Sequence, residues 1–139
     1  MQIVTEKITL HTEGQRLTEV TPQVLDIVRR ANISEGLCTV FIQHTSASLV
    51  IQENADPSAK RDLEYFLNKL VPENDCGFTH TSEGPDDMPS HIKAALTQTA
   101  LSIPITKGRL VLGTWQGIYL WEHRKEPHLR RIVVSLVGK

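Results

Sequence analysis

Little in this chain carries ready-made chemistry. There are only two cysteines, Cys38 and Cys76, far apart in the sequence and in no CxxC pair. That excludes a thiolate metal site and a thioredoxin-type motif. Cys38 falls in an apolar strand pattern and Cys76 in a polar loop; a reduced, buried Cys38 and an incidental Cys76 fit a reducing cytoplasm. The net charge is −1, so no bulk field draws nucleic acid or an acidic membrane. No apolar run approaches the roughly 20 residues that cross a bilayer. The opening MQIVTEKITL lacks the basic-then-apolar order of a signal peptide and reads as a strand. Internal repeats, low-complexity tracts and linker-like stretches are missing. So are a P-loop, a GxGxxG dinucleotide fingerprint and a GxSxG elbow. Without that elbow, Ser46 and Ser48 beside His44 make a weak case for a hydrolase nucleophile.

What remains is an ordinary globular composition, 40 % hydrophobic and 22 % charged over 139 residues. It supports one core, hence one domain over 1–139. Strands are expected at Ile3–Leu10 and Gln15–Val20, joined as a hairpin through Glu13-Gly14. Thr21 should cap a helix over Pro22–Arg30 with Pro22 at its first position. Leu37–Ile42, nearly all apolar, suits a strand buried on both faces, and Ala47–Gln52 another. Asp56 and Pro57 open a second helix to Leu70, with Leu63, Phe66, Leu67 and Leu70 as its buried stripe. A third helix, about Pro89–Thr97, should bury Ile92, Ala95 and Leu96 and hold His91 in its first turn. Leu101–Ile105 and Arg109–Leu112 form a hairpin, and Ile118–Trp121 and Arg130–Val137 complete the strands. This order predicts an α+β fold: a largely antiparallel sheet, sandwich or barrel-like, with about three helices.

Three polar islands interrupt this scaffold. The largest is Gly77–Lys93, GFTHTSEGPDDMPSHIK, which runs from a loop into a helix and carries His80, Glu83, Asp86, Asp87 and His91. So many ionisable groups in one loop are costly to order unless they share a task. Gln43-His44-Thr45-Ser46 and Gly113-Thr114-Trp115-Gln116-Gly117 are the others; the glycines around Trp115 suggest a bulge or a close backbone approach. His44, His80 and His91 offer three imidazoles for a divalent metal, zinc being the expected ion, with Glu83, Asp86 and Asp87 behind them. Their spacing matches no short metal motif, and His44 alone reads equally well as a hydrogen-bonded core histidine. Arg109, Thr114, Gln116 and Arg124, with Arg130 and Arg131, suit a phosphate or carboxylate as well as they suit solvated strand ends. Asn54, unlike the capping Asp56, has no structural task visible in the sequence.

These segments carry a resemblance. His44-Thr45-Ser46-Ala47-Ser48-Leu49, Asn54-Ala55-Asp56-Pro57, Glu83 through Lys93, Gly108-Arg109-Leu110 and Gly113 through Ile118 resemble the YjbQ-like family, also called the secondary thiamine-phosphate synthase enzyme family. The likeness spans nearly the whole chain, and the GTWQG segment is specific. It implies an α+β fold, a homotrimer, a histidine-built metal site, and a weak ability to join a thiazole phosphate to a hydroxymethylpyrimidine diphosphate. By that resemblance His44, His80 and His91 are metal ligands. Asn54, Asp86 and Gln116 match the family's polar partners; with Asp87 they are the expected catalytic residues, Trp115 anchoring the turn that presents Gln116. From their own chemistry rather than from the likeness, Thr45, Ser46, Arg109, Thr114 and Arg124 are expected to hold substrate. Glu122-His123-Arg124-Lys125 departs from the Glu-Phe-Asp-Gly of many members, which leaves the role of His123 open. The expected function is an enzyme of a small phosphorylated metabolite, a thiamine-phosphate synthase-like transferase. A metal-dependent hydrolase and a non-catalytic metal- or ligand-binding trimer are the alternatives.

Overall fold

Alternation of β-branched and polar residues builds most of the molecule. The computed structural model describes Met1 to Lys139. Its strands are β1 (Gln2–His11), β2 (Arg16–Glu19), β3 (Glu35–Ile42), β4 (Ala47–Glu53), β5 (Ala100–Thr106), β6 (Arg109–Leu110), β7 (Gln116–Glu122) and β8 (Leu129–Gly138). Its helices are α1 (Thr21–Ala31), α2 (Pro57–Leu70) and α3 (Asp87–Leu96). Five strands pair in the order β1-β8-β3-β5-β6 and three in the order β2-β7-β4. Every pairing is antiparallel. The class is α+β, as the order of elements predicts.

The layers follow from which face of each strand is apolar. Ile8, Val40, Ile103, Ile132 and Val134 on the five-stranded sheet meet Leu49, Ile118 and Leu120 on the three-stranded one, and Val24, Ile27 and Val28 of α1 close the same core. Each such side chain contributes about 1.5–3 kcal/mol when fully buried. The other face of the three-stranded sheet forms a smaller cluster, Leu17, Tyr119 and Trp121 against Leu67 and Val71 from α2 and its end.

Several expectations change. β1 and β2 are not a hairpin: β1 pairs with β8 and β2 with β7, so the Glu13-Gly14 corner switches sheets. Thr21 does not cap α1. Its hydroxyl accepts the Ile118 N–H and faces Glu19, tying the helix start to β7. β3 is not buried on both faces, since Leu37 and Phe41 are each 43 % exposed. Those residues share the outer face with Ile3, Val133 and Val137, and no helix covers it. In α2 only Leu67 of the expected stripe is buried, while Phe66 and Leu70 face outward.

α3 inverts its expected face. It buries Asp87, Pro89, Ser90 and Lys93 and leaves Ala95 and Leu96 exposed. The polar face wins because every group on it finds a partner: Ser90 donates to the Asp86 and His123 carbonyls, Lys93 donates to Asn68, and Asp87 meets Arg124. A buried polar group with its bonds made costs little; one without them costs a few kcal/mol. The helix also starts at Asp87, which moves His91 from the first turn to the second.

Candidate functional site

The loop before α3 and its first two turns place four ionisable side chains together. Gly84 has φ +105°, a conformation that side chains with a Cβ rarely adopt, and it turns the loop into the helix. Asp87 and His91 lie four apart on α3, hence on one face. His80 and Glu83 come from the loop. One ligand atom from each of His80, Glu83, Asp87 and His91 lies within 4.8 Å of the others.

Asp87 Oδ2 is the hub, 2.6 Å from His80 Nε2 and 3.1 Å from His91 Nε2. Glu83 Oε2 is 3.4 Å from His80 Nε2. His91 Nδ1 lies 3.0 Å from the Thr45 carbonyl. A carbonyl only accepts, so the Nδ1 proton is fixed there. In a neutral ring, His91 Nε2 is then a bare lone pair aimed at a carboxylate oxygen. Two lone pairs face each other across 3.1 Å only with a proton or a cation between them. The Asp87 side chain is buried, whereas those of His80, Glu83 and His91 are 44, 62 and 31 % exposed. One fixed carboxylate therefore anchors three side chains at an open rim.

Arg124 braces this arrangement. Its Nε donates to Asp86 Oδ2 at 3.0 Å, Nη1 to Asp87 Oδ1 at 2.7 Å and Nη2 to the Glu83 carbonyl at 3.0 Å. Burial pushes the carboxyls of Asp86 and Asp87 up. For Asp86 the Lys125 N–H and Arg124 outweigh it, and for Asp87 the bonds to His80 and Glu83 and the charges of His91 and Arg124 do. Both are held below the ordinary carboxylate range. Asp86 and Arg124 thus position the loop, with all three Arg124 nitrogens already bonded within the protein.

His44 stands outside the group of four. Its Nε2 accepts the Arg131 N–H at 2.8 Å, and the ring lines a neighbouring cleft with Ser46, Thr99 and Arg130. Asn54, Thr114 and Gln116 are farther still. The β4–β7 register pairs Glu53 with Gln116 at one end and Ala47 with Glu122 at the other. Six residues of strand separate these ends, roughly 20 Å. Gln116 Oε1 accepts the Gly113 N–H within its own turn, and Asn54 Nδ2 donates to the Gln116 carbonyl. The close approach at Gly117 is real: a Cβ there would lie 2.7 Å from Glu19 Oε2. The Trp115 residue is 63 % exposed, and its tie to the rest of the chain is its carbonyl, which accepts the Asn54 N–H. Arg109 lies elsewhere, beside Arg29 at the start of β6.

Two networks escaped the sequence reading. Buried Glu122 accepts from Thr12, Arg130 and the Arg124 N–H; these outweigh the burial that would push its carboxyl up and hold it down. Ser48 Oγ lies 2.8 Å from His123 Nε2 and accepts from Thr97 at 2.6 Å. Burial, with Lys93 and Arg130 nearby, pushes His123 down to about 3, so its ring is neutral. Ser48 and His123 are each 1 % exposed and line none of the described clefts, which makes this serine–histidine pair a strut. The unbroken apolar run Ile118–Trp121 just before Glu122-His123, the mark of a strand buried on both faces, could have flagged both as buried.

Fold and side chains together define an α+β protein with a histidine–carboxylate cluster at the start of its third helix. The chain belongs to the YjbQ/UPF0047 family: the family model described as "UPF0047 protein YjbQ-like" matches residues 6–139. It is 49 % identical to UPF0047 protein sll1880 of Synechocystis over 96 % of this chain and 91 % of that protein. It is 42 % identical to UPF0047 protein YjbQ of Escherichia coli O157:H7, over 95 % and 96 %. The crystal structure of a YjbQ/UPF0047 family protein from Clostridium acetobutylicum matches with TM-score 0.88 and 34 % identity, over 95 % of this chain and 99 % of that one. Hypothetical protein APE1520 from Aeropyrum pernix matches with TM-score 0.89 and 26 % identity, over 98 % and 99 %.

Proposed function

We propose that this protein is a divalent-metal-dependent enzyme of a small molecule, with His80, Glu83, Asp87 and His91 as the ligand set. The observation that carries the reading is the His91 ring: with its Nδ1–H on the Thr45 carbonyl, a neutral ring turns its Nε2 lone pair to Asp87 Oδ2 at 3.1 Å, a spacing that a shared cation would satisfy. Two imidazoles and two carboxylates suit zinc. A bound divalent ion would supply Lewis acidity toward a substrate oxygen. The chain's own part is to hold that set. Thr45 fixes the His91 tautomer, Asp87 orients both rings, and Arg124 keeps Asp87 ionised. A cleft of about 250 Å³ adjoins His80 between Phe78 and Met88, with Asn74 and Thr81 as polar lining, and offers room for a small substrate.

The concrete reaction in this reading is thiamine-phosphate synthesis, in which a thiazole nitrogen bonds to the pyrimidine methylene as diphosphate leaves. The assembly is a homotrimer, and the uncovered outer face with Ile3, Leu37, Phe41 and Val137 is the surface to be shared. The test is metal content after zinc reconstitution of wild type, His80→Ala, His91→Ala, Asp87→Asn and His44→Ala. The first three variants should lose the ion and His44→Ala should keep it. Equal zinc in all five proteins would remove the site. Turnover of the two phosphorylated precursors under metal-defined conditions tests the reaction separately, and no product with zinc-loaded protein excludes that transferase.

A further inference from the structure

The cleft around His44 is distinct in chemistry from the cluster beside it. It encloses about 430 Å³, and no carboxylate lines it. The clefts at Asp75, at Glu19 and Glu53, and at Glu73 carry acidic side chains, whereas the one at Arg29 and Arg109 shares the lack of them.

Its floor is Arg130, only 4 % exposed. The Glu122 carboxylate takes the Nε and Nη2 edge of the guanidinium, and Ser46 takes the rest of Nη2. Nη1 has no acceptor in the protein. A fixed guanidinium with one free edge is a preformed half of an oxyanion site. The neighbours supply more donors. His44 Nε2 accepts the Arg131 N–H, so in the neutral ring the proton sits on Nδ1, which has no acceptor either. Ser46 Oγ accepts from Arg130, which leaves its own hydrogen free to donate. The side chains of Gln43 and Thr99 are unengaged on the same cleft. Burial and then Arg130 and Arg131 lower the pKa of His44, against an opposing pull from Glu122.

We infer that this cleft binds an oxyanion, the phosphate or carboxylate of a small molecule, on Arg130 Nη1, His44 Nδ1–H and the hydroxyls of Ser46 and Thr99. Thr45 joins the two places: its side chain borders the cleft and its carbonyl holds His91. An anionic group seated here leaves the rest of its molecule beside the histidine–carboxylate cluster. Assigning the anion to the substrate rests on the function proposed above; the binding itself does not.

The experiment uses metal-free protein and follows the imidazole resonances by NMR as inorganic phosphate or acetate is added. The His44 signal is assigned by its absence from His44→Gln. A saturable shift of that signal is expected. Preference for phosphate marks a phosphoryl site, and equal response to acetate marks a carboxylate site. Thr99→Val, and His44→Gln followed by calorimetry, should each weaken binding about tenfold through loss of one bond to a charged group. His80→Ala should bind the anion as wild type does, whatever becomes of its zinc, which separates this site from the metal reading. Arg130 itself is a poor probe, because removing it strands Glu122 as a buried charge. No saturable shift with either anion, or undiminished binding in both variants, overturns the site.

Discussion

At the scale of single residues, the polar groups divide by what satisfies them. His123 is satisfied neutral, and this has a pH consequence. In the unfolded chain its imidazole takes a proton near the ordinary 6.5, whereas in the fold it stays neutral to about 3. Between those values the unfolded state binds more protons, so stability is full above about 6.5 and falls as the pH drops toward 3. His44, also lowered, acts in the same direction. His123→Gln should therefore flatten the wild-type fall in urea midpoint between pH 6.5 and 5; an unchanged slope would mean that His123 is not the group responsible. Asp87 is satisfied by charge. Asp87→Asn keeps the shape but removes the anion that orients both rings, and zinc affinity by competition with a chromophoric chelator should drop at least about 10–100-fold.

At the scale of elements, the loop leading into α3 is stable because Arg124 ties Glu83, Asp86 and Asp87 to the end of β7. Arg124→Met leaves two poorly exposed carboxylates without their cation, a change worth about 3–5 kcal/mol when such a pair is broken. The expected result is a lower thermal midpoint together with faster proteolysis between Cys76 and Pro85; a lower midpoint with the loop still protected would assign Arg124 to the core alone. This tie also marks where sequence reading stops. The three helices were legible from local rules, with Pro57–Leu70 matching its bounds and α3 starting at Asp87, two residues before its proline. The grouping of His80, Asp87 and His91 followed from one loop and one helix face, both local. His44 and Gln116 depend instead on strand register, which sequence pattern does not specify, and the register sends Gln116 to the far end of β4. The buried face of α3 was misjudged because apolar spacing cannot anticipate polar partners supplied by Asn68, His123 and Arg124.

At the scale of the whole molecule, the outer face of the five-stranded sheet is the main surface without a cover. Ile3, Val137, Leu37 and Pro104 lie side by side across four strands, and Lys7, Val133, Phe41 and Ala100 form a second such row. If this face joins subunits, Leu37→Glu with Phe41→Glu should shift sedimentation equilibrium from trimer to monomer without unfolding the chain. A trimer that persists in the double variant moves the interface elsewhere, to the exposed Phe66, Leu70 and Leu96 side of the helices.

The pairing of β1 with β8 bears on how the protein is made. Ten residues near the start of the chain wait for partners at residues 129–138, and β8 also sits between β1 and β3. Such distant pairing slows folding, because the loop must close before any contact rewards it. On a ribosome β1 stays an unpaired edge until the last strand emerges. Arg130 and the Arg131 N–H that holds His44 arrive on that same strand, so the oxyanion cleft is completed only in the final step of folding. In stopped-flow refolding, the His44 environment should therefore form with the slowest phase, after the helices are in place.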